Sequence, residues 1–162
     1  MKSLKYAIFA AFLLVGLSGC MPTGTYTGGG WLSDEEGRAN FGFNASNCDG
    51  PVVGHFNFRD KGEGVAMNGD VVEFTKCFSG DCLLIEFCDY YSIVEYRSTA
   101  KGSKGEGGEA LVCASDDGEG ANSLELNDFG VYVYSGPYDG YLKFGKVNGN
   151  IQSHECPEEE IF

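Results

Sequence analysis

The stretch ASDDGEGANS sets Asp116, Asp117, Glu119 and Asn122 within seven residues. These are oxygen donors separated by glycines that let a backbone wrap tightly, which is what calcium requires of a loop. The spacing is not that of an EF-hand, and a charged hairpin turn accounts for the same residues. Calcium is therefore the one cofactor the sequence suggests, and otherwise it suggests none. The two histidines, His55 and His154, share a metal or acid–base site only if their strands adjoin, and no third ligand accompanies them. Imidazoles hydrogen-bonded to nearby backbone explain them equally well. Tyr132, Tyr134, Tyr138 and Tyr141, in VYVYSGPYDGY, form a candidate face for a glycan or peptide, although alternating tyrosines also stabilise a sheet. WLSDEEG, with Asp34, Glu35 and Glu36, reads as a solvated turn. For catalysis, no serine lies in a G-x-S-x-G turn and no pair of carboxylates is singled out by its surroundings. The expectation is a protein that is not an enzyme.

The cysteines speak to compartment. Of seven, Cys20 stands apart, which leaves Cys48, Cys77, Cys82, Cys88, Cys113 and Cys156. An even set in an exported chain reads as three disulfides. A zinc cluster is the rival, but CFSGDC has no neighbouring pair or histidine to complete a familiar ligand set. If VVEFTKC and CLLIEFC are adjacent antiparallel strands, Cys77 and Cys82 face each other across the loop base. Cys88 then pairs most simply with Cys113, leaving Cys48 for Cys156. Other pairings stay open.

MKSLKYAIFAAFLLVGLSGC has lysines at positions 2 and 5, an apolar run from Tyr6 to Val15, and small residues before Cys20. That is the pattern of a secretory signal, with an apolar run too short to span a bilayer. Its end, LSGC, resembles the lipobox of bacterial lipoproteins, in which the cysteine is acylated and becomes the first residue of the mature chain. Two or three acyl chains on one residue suffice to anchor a protein. By the same resemblance, Met21 rather than Asp after Cys20 favours the outer membrane. Residues 1–19 are then signal, 20–24 a lipidated tether, 25–156 the folded domain and 157–162 a polar tail.

Removing the signal takes away two lysines and no acid, leaving nine basic residues against 24 acidic ones, a formal charge of −15. Such a surface repels phosphate backbones and anionic lipid, so nucleic acid is excluded as a partner and membrane attachment must come through the lipid.

From Thr23 onward no apolar period of 3.6 residues is sustained, while short alternating runs recur between glycine-rich breaks. All-β is the direct inference. RANFGFNA puts Phe41 and Phe43 on one face, and VVGHFNFR puts Phe56 and Phe58 on one face with His55, Asn57 and Arg59 on the other. DVVEF, CLLIEF, YSIVEY, EALVCAS, SLEL, FGVYVYS, GYLKFG and NIQSH continue the series. About ten strands fit a single antiparallel β-sandwich or barrel-like domain, stapled by disulfides. Glycines at TGGGW, DKGEG, GSKGEGGE and DDGEG read as turns and bulges, the stretch from Lys101 to Gly108 as a flexible hairpin loop.

GGGW (Gly28 to Trp31), ANFGF (Ala39 to Phe43), GHFNFRD (Gly54 to Asp60), SDDGEG (Ser115 to Gly120) before SLEL, and GNIQSH (Gly149 to His154) occur in an order that resembles a bacterial surface domain often called post-COAP. The resemblance covers nearly all of the mature chain, from about residue 25 to 154. Departures are Val147-Asn148-Gly149 where the family often has three glycines, Ser153 where it usually has isoleucine, and a cysteine-bearing insert between Cys77 and Glu109. It implies a compact β domain on secreted or surface proteins, with no enzymatic role to carry over. NGNIQSH then closes the domain with Ile151 inward and Gln152 and His154 outward, and Cys156 fastens that strand to an early loop. The expected function is a non-catalytic envelope lipoprotein with a structural or adhesive β domain. The alternative is a small binding protein for calcium, a glycan, or an envelope or surface protein.

Overall fold

The computed structural model describes residues 24–34, 37–48, 50–76, 88–116 and 128–157, and every regular element among them is a strand. In chain order these are β1 (Thr25–Asp34), β2 (Gly37–Ser46), β3 (Val53–Asp60), β4 (Val65–Lys76), β5 (Tyr90–Ser98), β6 (Gly107–Ala114), β7 (Asp128–Val133), β8 (Leu142–Lys146) and β9 (Asn148–His154). From β1 to β8 each strand pairs antiparallel with the next, and β9 returns to pair with β1. Only Val147 separates β8 from β9. The two act as one long strand whose first half pairs with β7, Tyr132 opposite Leu142, and whose second half pairs with β1, Gly28 opposite Ile151. The sheet is thereby a nearly closed barrel, and the choice between sandwich and barrel is settled.

Register gives the barrel its shape. A line drawn across the strands from Gln152 passes Thr27, Asn44, His55, Asp70, Glu95 and Glu109. It reaches Tyr134, whose amide bonds Glu109, beside Val133, which bonds Gly140 and Tyr141. The ring thus returns to its own last strand roughly 12 residues before the starting point, a stagger that tilts the strands steeply and widens the lumen.

Large side chains fill that width. Tyr26 of β1 stacks on Tyr90 of β5 with centroids 3.9 Å apart, and Phe41 of β2 stacks on Phe129 of β7 at 3.8 Å. Phe58 meets Tyr141 edge-on at 5.8 Å. These rings come from walls distant around the ring, so they hold the barrel by packing across it. The inward row includes Phe56, Met67, Val94, Val112, Val131 and Ile151, all buried. In β4 the register shifts between Val71 and Glu73. This bulge moves the inward phase from Val71 to Phe74 and leaves Val72 outside.

TGGGW is the middle of a strand, not the turn expected of it. At the seam with β9 there is no room for a side chain. A Cβ on Gly30 would lie 2.7 Å from the carbonyl oxygen of Asn148, and one on Gly28 would lie 2.7 Å from the ring of Phe43. A Cβ on Gly149 would collide with the Gly29 carbonyl. Gly30 and Gly149 are there for backbone approach, and Gly28 leaves room for the Phe43 ring. The expected flexible loop from Lys101 to Gly108 is also corrected. Gly107 and Gly108 belong to β6, and the turn before them is fastened by bonds from Ser98 N to Glu106 O (2.8 Å) and from Gly105 N to Ser98 O (2.9 Å). The runs CLLIEF and SLEL lie outside the described residues. The sheet passes directly from β4 to β5 and from β6 to β7.

One buried ion pair crosses the lumen. Lys143 Nζ of β8 lies 3.1 Å from Asp60 Oδ2 of β3, with side chains 7% and 0% exposed. The Tyr141 hydroxyl donates to the same Oδ2 at 2.8 Å, and the amides of Gly62 and Glu63 donate to Oδ1 at 2.9 and 3.2 Å. Burial alone would raise the Asp60 pKa, but the bonds from Tyr141, Glu63 and Lys143 and the ammonium charge outweigh it, and the carboxyl sits below its usual value. Covalent ties complete the frame. Cys48 is bonded to Cys156, joining the loop after β2 to the residues after β9, and Cys88 is bonded to Cys113. Cys77 and Cys82 lie outside the described residues.

Asp60→Ala strands a buried ammonium and is expected to cost about 3–5 kcal/mol in urea unfolding, whereas Asp60→Leu combined with Lys143→Met costs less than either single change. Because the folded pKa of Asp60 is depressed, its contribution is complete above the ordinary carboxylate value and is lost as pH falls through the folded value. The double variant should therefore show a flatter acid limb. An equal acid limb would assign that pH dependence to other groups.

The bridges differ in the chain they close. Cys48 and Cys156 are 108 residues apart, Cys88 and Cys113 only 25. On chain entropy, Cys48→Ala with Cys156→Ala should lose about 4.7 kcal/mol and Cys88→Ala with Cys113→Ala about 3.5 kcal/mol, an order that denaturant midpoints can check.

Candidate functional site

With rings and an ion pair filling the lumen, the surface open to other molecules is the outer wall. Across β3 to β6 it forms a shallow groove of about 610 Å³, lined by His55, Asn68, Asp70, Glu95, Arg97 and Glu109. The sheet register builds this groove. His55 is opposite Asp70, Asp70 opposite Glu95, and Glu95 opposite Glu109. Three carboxylates thus stand side by side on adjacent strands, where like charges repel. His55 Nδ1 lies 3.4 Å from Asp70 Oδ1, both side chains exposed. Arg97 lies two residues along β5 from Glu95, and its guanidinium reaches the Gly105 carbonyl at 3.5 Å.

An apolar row runs beside the acidic one. Ile93 is opposite Leu111, Leu111 opposite Tyr132, and Tyr132 opposite Leu142, and the row ends at Glu73, a carboxylate opposite Ile93. Tyr132 is 42% exposed, Leu142 65% and Phe144 44%. The inward demand of Lys143 explains β8. Alternation forces Leu142 and Phe144 outward once Lys143 faces Asp60. Tyr134 extends the acidic row past Glu109, its ring 6.5 Å from that of Tyr132 in the apolar row. Burial against the wall, then the charges of Glu109 and Glu73, push its phenol above the usual value.

The four tyrosines expected to share a face do not. Tyr132 and Tyr134 point outward, but Tyr138 and Tyr141 are half-buried and pack on the core. The Tyr138 hydroxyl lies 2.6 Å from Ser98 Oγ and donates to the Ala66 carbonyl at 3.1 Å. Burial opposes its ionisation, yet bonds with Ser103, Ser98, Ala66 and Ala100 outweigh burial and lower its pKa. Tyr141 is committed to Asp60. Both sit in the turn that joins adjacent antiparallel β7 and β8, and their hydroxyls are held by Ser98, Ala66 and Asp60.

Other candidates separate as follows. His55 and His154 do not adjoin, since β2 and β1 lie between β3 and β9. His154 lines a pocket of about 240 Å³ at the Thr25 end, with Lys76 and Tyr90. Asp116 Oδ2 accepts from Ser153 N and Ser153 Oγ, each at 2.9 Å, and so fastens β9. Asp117, Glu119 and Asn122 lie outside the described residues, as does Cys20. No group of three metal-ligating side chains occurs among the described residues. The acidic row is not legible in the sequence, because DVVEF shows two ordinary outward acids and YSIVEY and EALVC one each, with nothing to align them. Only the register aligns them. Searches of protein-family models, curated proteins and solved structures found no match to this chain.

Three carboxylates directly opposite one another strain the sheet. Glu95→Gln, which removes the middle charge, is expected to raise stability by ~0.5 kcal/mol, more at low salt. Urea unfolding at two ionic strengths reads this out, and a loss of stability would show that Glu95 serves the fold.

Proposed function

We propose that this chain is a lipid-anchored, non-catalytic envelope protein whose barrel is a rigid adhesive scaffold, presenting its outer wall to a partner. The observation that carries the reading is the division of labour between the two faces of the sheet. Inside, aromatic rings and the Asp60–Lys143 pair occupy the lumen. Outside, exposed Tyr132 and Leu142 continue an apolar row that runs beside three neighbouring carboxylates, an arrangement that suits contact with another molecule. The address rests on LSGC before Met21, and the motif order that resembles post-COAP domains agrees with a surface or envelope role. The outer membrane is the proposed site, with attachment through Cys20.

Cys20→Ala is expected to abolish acyl labelling and release the protein from the membrane fraction; unchanged labelling would refute the anchor. A photo-crosslinking residue at position 132 is expected to give a discrete adduct in the envelope, and one at Asn57, on the same wall but away from the apolar row, is expected to give none. Equal patterns from both positions would refute an adhesive outer wall.

A further inference from the structure

We infer that the outer wall of β4 to β8 is a docking face for a basic amphipathic helix of a partner protein. The inference rests on the reading of that wall as the presented surface and names what it receives. Its starting point is the inverted pattern of β8, with Lys143 inside and Leu142 and Phe144 outside. An apolar row continues from Leu142 through Tyr132 to half-buried Leu111 and Ile93. The acidic row of Asp70, Glu95 and Glu109 runs parallel to it, two residues along each strand from Val72, Ile93 and Leu111. An apolar stripe flanked by carboxylates calls for an apolar stripe flanked by ammonium or guanidinium groups.

Spacing decides the secondary structure of the partner. Both rows cross the strands, so their side chains repeat at about 4.8 Å and the three carboxylates span roughly 10 Å. A helix rising about 1.5 Å per residue puts basic groups at i, i+3 or i+4, and i+7 over the same span. An extended segment repeats on one face only every ~7 Å and falls out of step. The rows themselves lie about 7 Å apart, within the roughly 10 Å width of one helix. A single helix with adjacent basic and apolar stripes therefore meets both. Arg97 borders the acidic row on its far side and His55 ends it beside Asp70, so the flank of Glu95 and Glu109 toward the apolar row stays negative.

The test uses the full-length chain in phosphatidylcholine nanodiscs, with empty discs as the blank. The probes are labelled 14-residue peptides of lysine and leucine. One is patterned so that lysines and leucines form adjacent helical stripes, and one is scrambled at equal composition. Fluorescence anisotropy should show the patterned peptide binding about tenfold more tightly than the scrambled one. Glu95→Gln with Glu109→Gln, and separately Tyr132→Ser with Leu142→Ser, should each remove that preference. The charge-matched control Glu63→Gln with Glu155→Gln should keep it. Equal binding of the two peptides, an unaffected Tyr132/Leu142 variant, or a control that loses as much as the acidic-row variant would overturn the proposal. A discrete crosslink from position 132 with no patterned-peptide preference overturns the helix alone and leaves the adhesive wall standing.

Discussion

The final strand must hydrogen-bond to β7 along its first half and to β1 along its second, and a steeply staggered ring leaves little else free to vary. At the β1 seam Gly30 and Gly149 lie against partner backbone and Gly28 against the Phe43 ring and Ile151, so glycine is the residue type that fits. Farther down, the same strand turns Lys143 toward Asp60. Because side chains alternate along a pleated strand, that choice also fixes Leu142 and Phe144 on the outside. The Cys48–Cys156 bridge secures the far end of the strand just past its last ladder residue. Closure, core and exposed face thus follow from one double pairing.

A wide barrel must be filled or left as a cavity. Here the filling comes from rings that meet across the lumen, with Tyr26 on Tyr90 and Phe41 on Phe129. Aromatic pairs of this kind add about 0.5–1.5 kcal/mol beyond the area they bury. A row of like charges directly opposite one another costs about 0.2–1 kcal/mol per pair. The sheet can therefore carry the acidic row of Asp70, Glu95 and Glu109 without losing its closure.

Much of this architecture is legible in the sequence. The alternation in GHFNFRD puts Phe56 and Phe58 inside with His55 and Arg59 outside, and the structure does the same. Ile151 lies inward and Cys156 pins the strand beyond it, as the closing motif suggests. What composition hides is anything set by pairing between distant strands. TGGGW looks like a turn because glycine favours turns; only the approach of β9 makes it a strand. Leu142 and Phe144 alternate as a core face would, and only Asp60, far away in sequence, turns them out. The tyrosines split because Tyr138 and Tyr141 lie in the turn between β7 and β8, where Ser98, Ala66 and Asp60 take their hydroxyls.

Placement along the barrel bears on how the proposed anchor would orient the face. Thr25, His154, Ser46 and Val53 share one end through direct pairing, whereas Tyr134 and Leu142 lie at the opposite strand ends, beyond Val133. Four residues separate Cys20 from Thr25, and each spans at most about 3.6 Å. On the proposal that Cys20 carries lipid, that short reach would hold the Thr25 end close to the bilayer. The negative charge of the chain would keep the flanks of the domain off anionic lipid. Tyr132 and Leu142, at the far end of the apolar row, would then stand on the side away from the membrane, where a protein partner would have access and lipid would not.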